Sequence, residues 1–156
     1  MDQLTKIKML NDIYHIYSQD KKYKILSEIK LNIIHKDQLL TKFLTKGNEC
    51  EGFCIYDILF NFRHDTTKKK NRTCDIKVTS INVIDQDQFD IVLTLIHEMA
   101  HALSPHYERK INGEYIHIEH SHLFYDKFLE LLNFAYDNKI VNKKYDLKQL
   151  KIDDKK

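Results

Sequence analysis

Two histidines and a glutamate fall at a chemically useful spacing in the run LTLIHEMAHAL, residues 93–103: His97, Glu98 and His101. An α-helix returns residues four apart to the same side after ~6 Å of rise. His97 and His101 would therefore point the same way and can grip one metal ion. Glu98 is displaced around the axis, so it can reach a water on that ion rather than the ion itself. That is the mechanical content of the H-E-x-x-H pattern. The metal lowers the pKa of its water, and the carboxylate takes the proton as the water attacks a carbonyl. The plain alternative is a helix whose histidines are satisfied by hydrogen bonds. Leu93, Ile96 and Ala100 set the polar trio beside an apolar face, where two imidazoles and a carboxylate are costly without a shared partner. A single bound Zn²⁺ is the expected cofactor.

A catalytic zinc takes three protein ligands and keeps one position open. The segment YIHIEHSHLFYDKF offers His117, Glu119, His120 and His122. His120 has the best setting. It directly precedes an expected helix, with Phe124 one turn on, and the first turn of a packed helix holds a ligand better than a loop does. Glu119 or Glu130 in its place would give a two-His-one-Glu site. Tyr115, His117, His122 and Tyr125 are candidates to stabilise the transition state, and each also reads as a surface or packing residue.

Several stretches must position these groups. Residues 3–19 place Leu4, Ile7, Leu10, Ile13, Tyr14 and Tyr17 on one helical face, and residues 22–46 read as a second helical region, broken near 32–36. Residues 53–62, FCIYDILFNF, suggest a strand. In TCDIKVT, residues 73–79, alternation turns Ile76 and Val78 to the core and Asp75 and Lys77 to water. A hairpin with a basic loop joins the two strands economically, and Ile81, Val83 and Ile84 suggest a further short strand. Asp85 or Asp87 would cap the HEMAH helix, and Pro105 would end it. Residues 106–119 read as a polar loop. A last helix is expected over 121–138, on a stripe of Phe124, Phe128, Leu131, Leu132 and Ala135, and then a frayed tail.

The expected class is therefore α+β, with helices on a small, mostly antiparallel sheet and HEMAH on a central helix. One domain spans 1–156, with a helical part at 1–50, strands at 51–84, site helices at 85–138 and a tail at 139–156.

Bulk composition bounds the partners. Hydrophobic residues make up 42% and charged residues 31%, with 3 Gly and 1 Pro, which suits a folded soluble domain rather than a linker-rich chain. Net charge is only +2, from 25 basic and 23 acidic residues, so nucleic-acid binding by bulk charge has no support. The local run Lys68, Lys69, Lys70, Asn71, Arg72 is either a solvated loop or a set of phosphate contacts. Cys50, Cys54 and Cys74 are an odd count with no signal peptide, which points to free thiols in a reducing intracellular setting. No stretch reaches the ~18 apolar residues of a membrane helix.

In order along the chain, TCDIKVT, FDIVLTLIHEMAHAL and His120-Ser121-His122-Leu123-Phe124 resemble the core of the SprT-like zinc metalloproteases. There a C-x-I-x-[LV]-[ST] strand precedes the HExxH helix, and an H-[GS]-x-x-F follows it. WLM-like peptidases are similar in the H-S-x-x-F-[YW] form that Phe124 and Tyr125 also fit. The resemblance covers about residues 73–136, and residues 1–50 carry no matching motif. It implies a minimal zincin fold, with His97, His101 and His120 as zinc ligands and Glu98 as general base. It also implies cleavage of proteins, including proteins covalently trapped on DNA, although no C-terminal zinc ribbon is expected here. Two other readings compete. One is a zinc-stabilised binding module without catalysis, with the basic run as its contact. The other is a peptidase that processes precursors and has no link to DNA.

Overall fold

The computed structural model describes residues 1–35, 51–65, 70–87 and 89–154. The chain divides into two compact units, one of Met1–Ile55 and Val78–Met99, the other of Tyr56–Lys77 and Ala100–Lys156. The class is α+β, with small and mostly antiparallel sheets.

The first unit opens on helix α1, Gln3–Gln19, whose N-cap Asp2 accepts the Thr5 backbone N–H at 2.7 Å. Leu10, Ile13, Tyr14 and Tyr17 form its buried face, as the three-and-four spacing predicts. The next residues depart from expectation. Lys21–Glu28 is a 3-10 turn, and Lys30–His35 is a strand, β1, in place of the expected helix. The rest of that predicted helix lies outside the described residues. Tyr14 explains part of the change. Its hydroxyl sits 2.8 Å from the carbonyls of both Leu26 and Ile29, fixing the chain as it turns into β1.

β1 pairs in parallel with β5, Ile76–Asp85, from Lys30 opposite Ser80 to His35 opposite Asp85. β5 is the middle strand of three, with β2, Gly52–Ile58, on its other side. The Ile84 N–H reaches the Glu51 carbonyl, and beyond the other end of β2 the Leu59 N–H reaches that of Asp75, so β2 runs antiparallel to β5. The predicted further short strand at Ile81–Ile84 is the second half of β5. There the expected alternation gives way to continuous burial, as a middle strand covered on both faces requires. Its polar members are satisfied. Asn82 takes a hydrogen bond from Asn32 and gives one to Ser80 Oγ, and Lys6 pairs with Asp85 at 3.2 Å.

The second unit holds a four-stranded antiparallel sheet in the order β3, β4, β6, β7. β3 is Arg63–His64, β4 Asn71–Cys74, β6 His106–Ile111 and β7 Glu114–His117. The TCDIKVT stretch is thus interrupted at Asp75, where the chain leaves β4 and enters β5. The predicted polar loop over 106–119 is the β6–β7 hairpin. Its turn is Asn112–Gly113, both at positive φ (52° and 82°), the backbone that a two-residue type I′ turn requires. Helix α3, His122–Asp137, is capped by Ser121 and buries Phe124, Tyr125, Leu131, Leu132 and Ala135. The tail is not frayed throughout: Leu147–Asp154 forms helix α4, which buries Leu150.

Helix α2, Ile91–Leu103, carries HEMAH and runs from one unit into the other. Neither Asp85 nor Asp87 caps it. Asp85 ends β5, and Asp90 Oδ1 instead takes the Val92 and Leu93 N–H groups at 3.0 and 3.3 Å. Among the described residues, no helix is long and apolar enough to cross a membrane.

Candidate metal centre

The site is built on the last two turns of α2 and the turn that leads into α3. Leu95, Ile96, Met99 and Ala100 are buried and anchor α2. His97 and His101 are half-buried on the adjoining side, one turn apart on one continuous helix. His120 stands immediately before the N-cap of α3. Ser121 Oγ accepts the Phe124 N–H, which pins that turn. Phe124 then serves as a common platform. The His101 ring stacks on it at 4.2 Å between centroids, and the His120 ring tilts against it at 4.8 Å. The two imidazoles come to 5.0 Å of each other. One ligand atom from each of His97, His101 and His120 lies within 4.8 Å of the others. Three imidazoles converging so closely are a donor set that could hold a metal ion.

Glu98 is 5% exposed, and strand β2 holds it from the side. A Cβ added at Gly52 would fall 2.9 Å from Glu98 Cγ and 2.6 Å from the Asn82 carbonyl oxygen, so only glycine lets the strand pass this close. Two residues on, the Cys54 thiol donates to the Glu98 carbonyl at 3.3 Å, with Sγ 3.9 Å from Glu98 Oε1. Burial, and next the Glu98 carboxylate, push the Cys54 thiol above its ordinary range, so it stays protonated as a donor. Composition offers no signal for this contact. The glycine that opens the FCIYDIL strand is its single trace in the sequence.

The other predicted site residues are placed as follows. Glu119 is exposed, and Glu130 pairs with Lys127 at 3.1 Å. The Tyr115 hydroxyl lies 3.3 Å from His64 Nε2, and the Arg72 guanidinium covers its ring at 3.6 Å. His117 stacks on His106 at 4.2 Å. His122 meets the Tyr107 ring edge-on at 5.2 Å, and the Tyr125 ring lies 6.3 Å from that of His120. Of the basic run, Lys68 and Lys69 lie outside the described residues. Arg72 is neutralised by Glu108 at 2.7 Å, which leaves Lys70 as the exposed cation of that run among the described residues.

Cys74 is buried and Cys54 half-buried, both as free thiols, as the odd count predicts. No family model matches the chain, and no curated protein or solved structure is significantly similar to it.

Proposed function

We propose that this chain is a zinc-dependent metallopeptidase of the SprT-like and WLM-like kind, hydrolysing peptide bonds in protein substrates, with proteins crosslinked to DNA among them. The observation that carries the reading is the convergence of His97, His101 and His120 within 4.8 Å, with Glu98 one residue along from the first. Held there, zinc supplies Lewis acidity toward a carbonyl and toward water.

The chain's own residues do the rest. The Glu98 carboxylate accepts the proton of the attacking water and hands it to the leaving amine. Gly52 and Cys54 keep that carboxylate from swinging away. β2 lies at the edge of its sheet among the described residues. It begins beside Glu98, so it can take an extended substrate by strand addition and present the scissile bond to the base. A buried carboxylate serves no purpose in a purely structural three-histidine site, and this favours catalysis over a binding module.

The test is Glu98→Gln. The variant should keep one zinc per chain by metal analysis and lose casein cleavage by about 10²–10⁴-fold. Cleavage at the wild-type rate would overturn the assignment. Running both proteins with and without single-stranded DNA separates crosslink repair, which needs DNA, from general or precursor processing, which does not.

A further inference from the structure

A cavity of about 670 Å³ opens in the second unit and shares His120 with the metal centre. Its walls are Tyr107 and Ile118, and its polar groups come from Lys70, Asn71, Arg109 and His122. Among the described residues, no carboxylate lines it. The strand register decides which side chains matter. Arg109 lies opposite Asn71 in the β4–β6 pairing and two residues from Tyr107, so these three share one face of the sheet. Lys110 also borders the cavity, but its ammonium lies 5.6 Å over the Tyr115 ring on the opposite face. Arg72 is on that opposite face too, bound to Glu108. The charge that faces the cavity is therefore Arg109, while Lys70, whose carbonyl takes the Lys110 N–H, borders it from the Lys110 side. Neither Arg109 nor Lys70 has a carboxylate partner among the described residues.

We infer that this cavity is a substrate subsite that takes an acidic stretch of polypeptide, a carboxylate on Arg109, beside the scissile bond. The identity of the occupant rests on the peptidase reading, because what reaches His120 is then a polypeptide. The chemistry fits. A guanidinium presents parallel N–H donors that match a carboxylate two at a time. The volume exceeds one side chain and suits a short segment. A nucleic-acid strand fits less well, because its phosphates call for a track of cations. Here the neighbours Arg72 and Lys110 are turned to the other face.

The probe is a fluorescent peptide rich in Asp and Glu, compared with its Asn and Gln counterpart, on zinc-loaded Glu98→Gln protein. Fluorescence anisotropy should show the acidic peptide binding about tenfold tighter. Arg109→Ala should erase that difference. Equal binding of the two peptides, or a preference unmoved by Arg109→Ala, would overturn the inference. So would a single-stranded oligonucleotide that binds through Arg109 where neither peptide binds. An Arg109-dependent acidic preference in a protein whose wild type cuts nothing would uphold the subsite and sink the peptidase reading, so the two fail separately.

Discussion

Two pairs of close histidine rings lie in the second unit, and they are built to opposite ends. His101 and His120 come to 5.0 Å against the apolar face of Phe124. His106 and His117 stack more tightly, at 4.2 Å, but within a charged chain. His106 Nε2 meets Glu108 Oε2 at 2.8 Å, and Arg72 holds the other oxygen at 2.7 Å. The first pair gains a third imidazole from His97, one helical turn away. Among the described residues, His97, His101 and His120 are the one group of three potential ligands that converges. Proximity of two imidazoles is therefore a poor sign of a metal site. What separates the pairs is a third potential donor, His97, brought to the first of them by a continuous helix.

The largest effect should come from breaking that contrast directly. His101→Ala or His120→Ala should take bound zinc from one per chain toward none, and proteolysis with it, since a site with only three protein ligands does not survive loss of one. His117→Ala and His106→Ala should leave zinc content unchanged. A zinc loss in His117→Ala, by metal analysis of the folded protein, would erase the distinction between the pairs.

Phe124→Leu tests the platform under the first pair. Phe124 is 1% exposed, so the smaller side chain should cost about 1–2 kcal/mol in urea unfolding. Freed from their common ring, His101 and His120 should also bind zinc about 10–100-fold more weakly, as when other groups that orient ligands are lost. Unchanged zinc affinity in a destabilised protein would make Phe124 a core residue and nothing more.

Gly52→Ala tests the approach of β2 to Glu98. The added Cβ meets backbone at 2.6 Å, which cannot yield as a flexible side chain would. The strand must shift, at about 1–3 kcal/mol. Activity should drop with zinc content intact, because the base moves and the ligands do not. Equal activity would show that the strand does not position Glu98.

The contrast between the pairs was only half legible in the sequence. HEMAH fixes its own geometry by helical spacing, and the cap and apolar stripe after His120 single it out as the third histidine of the cluster. Local pattern also suffices for α1 and α3. It fails where distant partners decide. KLNIIH has no periodicity to separate helix from strand, and it becomes β1 by pairing with β5, about 50 residues away. The β6–β7 hairpin hides behind polar residues, with Asn112–Gly113 as its one strong local signal. Without that hairpin, His106 and His117 never meet. The cavity beside His120, formed by β4 and β6 with the turn before α3, is equally invisible.

The smallest effect, and the one that sharpens the second pair, is its pH response. Burial, then the neighbouring His106, hold His117 below the ordinary imidazole value of 6.5, against the pull of Glu119 and Glu108. Its folded pKa is therefore depressed relative to the unfolded chain. Between the two values the unfolded state binds more protons, so stability rises with pH there. Read downward, stability is full above about pH 6.5. It falls as pH drops below that value, and the loss levels off once His117 is protonated in the folded protein as well. His117→Asn removes the group and should flatten that portion of a urea-midpoint profile. The effect should be modest, because the ring is partly exposed and solvent screens it. A profile unchanged by the substitution would mean that stacking on His106 costs the imidazolium nothing. The second pair would then owe its geometry to the Glu108–Arg72 ion pair alone.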